Sequence, residues 1–106
     1  MTNLNLDQFL SSLKNASPPT GLTRALSGLW YDGHGDWDAA HRKVQTGNGA
    51  NEDWVHAYLH RKEGDLANAA YWYSRSGHSL STKSLDDEWF EIVTMLLSKN
   101  ANATAS

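Results

Sequence analysis

His56 and His60 stand four residues apart in a stretch whose apolar spacing predicts a helix over 52–63, so both imidazoles project from one face. That is the spacing of a metal-binding histidine pair. Asp53 and Glu63 extend the same stripe into a polar ridge. His41 lies on the preceding predicted helix, where helix pairing can bring it beside His56. Two histidines with a third histidine or a carboxylate, and one position left open, suit a divalent transition metal such as zinc, or copper or iron. A polar helix face is, however, ordinarily the solvated one. Zinc proteases recognisable from sequence carry a glutamate directly after the first histidine, and this chain has Ala57 there. A site that takes up stray zinc or nickel suits these residues better than a catalytic one.

The chain also holds five tryptophans and four tyrosines. Trp54, Tyr58 and Trp72, with Tyr71 and Tyr73, can line a groove or an inter-helix pocket, since each ring pairs contact area with a polar tip. Core packing between short helices is the plainer use for them. Tyr71, Trp72 and Tyr73 cover more than half a helix circumference, so they cannot all face one core, and one of them, Trp72 first, is expected either half-exposed or packed against the last helix. Arg61 and Lys62, with Arg75, Arg42 and Lys43, form the basic cluster. Arg61 and Lys62 can orient a peptide carboxylate, or simply offset a helix dipole, an effect worth about 0.3–1 kcal/mol. Asp32, Asp36 and Asp38 crowd one turn with His34, but their spacing is not that of a calcium-binding loop. No nucleophile elbow or phosphate-binding glycine loop is present, and with no cysteine the chain has neither disulfides nor thiolate ligands.

The elements that must position these residues are helices. Apolar residues recur at helical spacing over 6–14, 22–32, 36–46, 52–63, 65–76 and 84–98, and no run alternates with period two. Asn5 with Gln8 and Ser84 with Asp87 are capping patterns, while Pro18, Pro19 and Gly21 break the chain after the first helix. With 40% hydrophobic and 20% charged residues, the 106-residue chain has the make-up of one ordinary globular domain. Its net charge of −3 argues against general nucleic-acid binding. No apolar run approaches the ~20 residues that span a bilayer. The first 13 residues lack the pattern of a secretory signal, so a cytoplasmic location is expected.

One pattern occurs twice. Gly35-Asp36-Trp37-Asp38-Ala39-Ala40 and Gly64-Asp65-Leu66-Ala67-Asn68-Ala69 lie 29 residues apart, each between two helical stretches, and read as helix, tight turn, helix. These pieces resemble the turn and second helix of a tetratricopeptide repeat, and Ala69 to His78 resembles the end of a Sel1-type repeat. The period is shorter than the family's, and the apolar stripe of the first helices is rotated from the family's position. The whole chain is also similar to a family of small uncharacterised bacterial proteins, in stretches such as Trp30-Tyr31-Asp32-Gly33 and the run from Trp54 to Asp65. That similarity implies no activity.

The expected architecture is therefore all-α, a compact bundle of about six short helices over residues 1–99, with a flexible tail at 100–106. Two tetratricopeptide-like hairpins, at 22–46 and 52–76, are capped by the first and last helices. Scaffolds of this kind imply non-catalytic recognition of a protein or peptide, or of a second copy as a homodimer. Trp54, Tyr58 and Trp72 would make the contact, and Arg61 and Lys62 would orient it. The alternatives are a metal-binding protein or metal-dependent small-molecule enzyme using His41, His56 and His60, and a binder of an aromatic or apolar small molecule.

Overall fold

The structure, a computed structural model, describes residues 4–46 and 49–105, with side chains as far as residue 99. All of its helices but one begin where a side chain supplies an acceptor for free N–H groups. Asn5 and Gln8 bond each other's backbone N–H at 2.8 and 3.0 Å, the reciprocal cap that opens α1 (Leu6–Ser12). Thr23 caps α2 (Arg24–Gly33), Asp36 caps α3 (Trp37–Gln45) and Asp65 caps α5 (Leu66–Ser76). Between them α4 (Ala50–Lys62) starts from Gly49 without a side-chain cap, and Ser84 Oγ accepts from Asp87 N at the start of α6 (Leu85–Ala105).

All six helices are where the periodicity places them, and there is no strand among the described residues. The ends differ. α4 starts two residues earlier than expected, at Ala50. α6 runs past the expected end at 98 to Ala105, and Ser106 lies outside the described residues. Between Leu85 and Ala105 there is neither glycine nor proline to stop the helix, and the added residues include three alanines, the best helix former.

The two turns that share a sequence also share a conformation. Gly35 and Gly64 both adopt the left-handed region, at φ 94° and 90°. The amide of Asp36 reaches back to Tyr31 O at 2.9 Å, and the amide of Asp65 to His60 O at 2.9 Å, again 29 residues apart. Each turn folds its helix pair together, α2 on α3 and α4 on α5.

Leu26, Leu29 and Trp30 of α2, Val55 and Leu59 of α4, Tyr73 of α5 and Ile92 and Val93 of α6 form one core, closed by Phe9 of α1. Two of its indoles are paired. The indole N–H groups of Trp30 and Trp89 donate to Ser12 Oγ and Leu29 O, each at 3.0 Å. α4 is the axis of this arrangement. It touches α2, α3, α5 and α6, and every residue from Asp53 to His60 is buried. A helix wrapped on all sides has no wet face, so the polar ridge of α4 is interior.

Candidate metal centre

Burial of that ridge gathers three imidazoles. His56 and His60 project from successive turns of α4, and His41 comes from α3, which packs across them. Their ring centres are 4.8 Å (His41 to His56), 5.3 Å (His41 to His60) and 4.8 Å (His56 to His60) apart. One ring nitrogen from each lies within 4.8 Å of the other two. Three imidazoles on one tetrahedral ion, with bonds of ~2.0–2.1 Å, place their ring centres about 5 Å and their ligating nitrogens about 3.3 Å apart. The Nε2 atoms of His41 and His56 are 3.1 Å apart. The ring-centre spacings and the His41–His56 nitrogen separation match those dimensions, and the His60 nitrogen lies within 4.8 Å of both. In the metal-free protein, one of these two Nε2 atoms must donate its proton to the other.

Groups behind the rings hold them in this posture. His60 Nδ1 sits 2.6 Å from Glu63 Oε2, so Nδ1 carries the proton and Nε2 keeps its lone pair toward the cluster. Trp37, one turn before His41, stacks on it at 5.0 Å and 8°, and its indole N–H is anchored on Leu59 O at 2.9 Å. Trp72 of α5 stacks on His56 at 4.1 Å, and the Arg75 guanidinium lies 5.3 Å over the outer face of Trp72. Nδ1 of His56 is buried with no protein partner. An unpaired buried polar atom costs about 1–3 kcal/mol, and hydrocarbon packing alone gives no reason to retain it.

Two of the rings, His56 and His41, are biased toward the neutral form. Burial, then the neighbouring His60 and His41, pulls the pKa of His56 down to about 4. Burial also lowers His41, reinforced by His60 and opposed by Glu63 and Asp38. Neutral imidazole is the form that binds metals, so neither ring need shed a proton at neutral pH.

The residues expected to form a protein-binding face are dispersed. Trp54 and Tyr58 are not exposed; they are core residues, 4% and 2% accessible, because α4 runs through the middle of the bundle. Trp54 stacks on His78 at 3.7 Å. Arg61 pairs with the buried Glu88 at 2.8 Å and donates to Lys83 O, while Lys62 pairs with the buried Asp32 at 2.9 Å. Trp72 is half-buried as the cover of His56, and the exposed aromatic of its run is Tyr71. Sequence reasoning missed Trp37, Glu63 as the partner of His60, and Glu88, which binds both Arg61 and the Tyr73 hydroxyl. Trp37 and Glu88 had a signal: Trp37 precedes His41 by four residues, and Glu88 falls on the apolar stripe of its own helix.

Compared with known families, curated proteins and solved structures, the chain matches none.

Proposed function

We propose that this protein binds one divalent transition-metal ion, with zinc as the first choice, through the imidazoles of His41, His56 and His60. The observation that carries this is the convergence of three ring nitrogens within 4.8 Å inside the fold. An all-nitrogen donor set suits zinc, copper, nickel or iron and disfavours calcium and magnesium, which prefer oxygen. Three protein ligands leave a fourth position for water or another donor, the arrangement of an open zinc site. Competition titration of metal-free, untagged protein against a chromophoric zinc chelator tests it. One equivalent should bind with micromolar or tighter affinity, and His41→Ala or His60→Ala should weaken it at least 100-fold while His34→Ala leaves it unchanged. Uptake that is substoichiometric, or indifferent to the first two substitutions, would refute the site.

Recognition of a protein partner or a second copy is a second reading, supported by Leu66 and Tyr71 on α5, each 54% exposed. The repeated turn supports taking the two hairpins as a shortened tetratricopeptide-like pair, a scaffold suited to such contacts. Light scattering of the eluting protein tests the homodimer: a dimer that Tyr71→Asp converts to monomer supports it, and a monomer at every concentration removes it.

A further inference from the structure

On the side of α4 away from the histidines, α2, α4 and α6 line an open cavity of about 360 Å³. Its size is at the lower end of small-molecule sites, roughly 300–1,000 Å³. Asp32 stands in its wall with a side chain only 3% exposed, paired to Lys62 Nζ at 2.9 Å. Asp86, in the first turn of α6, supplies a second carboxylate. Tyr58, Trp89 and Phe90 also line it, with Leu13 and Gly33. Two carboxylates against one ammonium leave an excess of negative charge beside three aromatic rings. That combination attracts cations both by Coulomb force and through the ring faces.

We infer that this cavity is a binding site for a small organic cation, an amine carried on a flat apolar body. Its walls are already set. The indole of Trp89 is fixed by its bond to Leu29 O at 3.0 Å, and Phe90 stands edge-on to it at 6.0 Å, 44% exposed at the rim. Little ordering is therefore left for binding to impose. The Tyr58 hydroxyl is pushed well above its usual range, by burial first, then by the charge of Asp32 and a hydrogen bond to it, and by Glu88 and Asp86. The amine would share the Asp32 carboxylate with Lys62, whose side chain is 39% exposed and can swing toward solvent, and would meet Asp86 on its other side.

The site is independent of the metal, so the test uses protein without added ions. Three probes of one shape are titrated by calorimetry: 2-phenylethylamine, 2-phenylethanol and 3-phenylpropionate. The amine should bind with a submillimolar constant, and the alcohol and the acid at least about tenfold more weakly, a difference of about 1.4 kcal/mol or more. Asp32→Asn would leave Lys62 without its partner and risks the fold, so the decisive variants are Asp86→Asn and Phe90→Ala on the rim. Each should weaken the amine severalfold and leave the far-ultraviolet spectrum unchanged. Equal affinity for the three probes, no binding of the amine at about 10 mM, roughly ten times a millimolar dissociation constant, or full affinity in both variants would overturn the assignment.

Discussion

At His56, the burial that readies the ring for an ion also makes the fold sensitive to acid. Its pKa is about 4 in the folded chain, against an ordinary value of 6.5. Between those values the unfolded chain takes up a proton that the folded one refuses, so stability falls as pH drops through that window and levels off below it. A shift of that size corresponds to at most about 3 kcal/mol. His41, also lowered, acts in the same direction. Urea unfolding of the metal-free protein should therefore show a lower midpoint at pH 4.5 than at pH 7, and His56→Ala should shrink the difference between the two; a difference unchanged in the variant would count against the assignment. Glu63 works differently. It is 39% exposed and hydrogen-bonds to the cluster through His60 Nδ1. Glu63→Gln should leave metal-free stability nearly unchanged and weaken zinc about 10–100-fold, as loss of a carboxylate behind a histidine ligand does. Comparing zinc competition with urea unfolding for this variant separates the two effects.

Among the elements, α4 decides where sequence reading succeeds. The caps at Asn5, Asp36, Asp65 and Ser84 are local, a side chain and an amide three residues apart, so the sequence alone locates them. The repeated turn is legible for the same reason, because its hydrogen bonds span five residues. Asp65→Ala should accordingly cost about 0.5–2 kcal/mol, measured by chemical denaturation. The four-residue spacing of His56 and His60 was likewise plain, but which face of α4 is covered was not. Periodicity separates faces by polarity, and a central helix packed by four others has no face left for water. Trp54 and Tyr58 therefore went to the core rather than to a surface, and Asp53, His56 and His60 were buried with them. The arrival of His41 depends on how α3 packs over α4, a tertiary fact that no local pattern carries. Glu88 shows the converse, an acidic residue whose place on an apolar stripe could have announced its pairing with Arg61 and Tyr73.

For the molecule as a whole, the radius of gyration is 12.9 Å, against roughly 13 Å for one compact domain of this length. No described helix is long and apolar enough to cross a membrane. In so small a body, an ion held by both α3 and α4 is a cross-link between the two hairpins, and its binding energy adds to folding. At a hundredfold excess over its dissociation constant, zinc should add ~2.7 kcal/mol and raise the thermal midpoint by roughly 10–20 °C. The most direct test reads the five imidazoles individually by nitrogen-15 NMR as one equivalent of zinc is added. The resonances of His41, His56 and His60 should move to metal-bound positions through Nε2 and saturate at a 1:1 ratio, with His34 and His78 unaffected. Saturation without change at those three rings, or binding that follows His34 or His78, would contradict a metal centre built by α3 and α4.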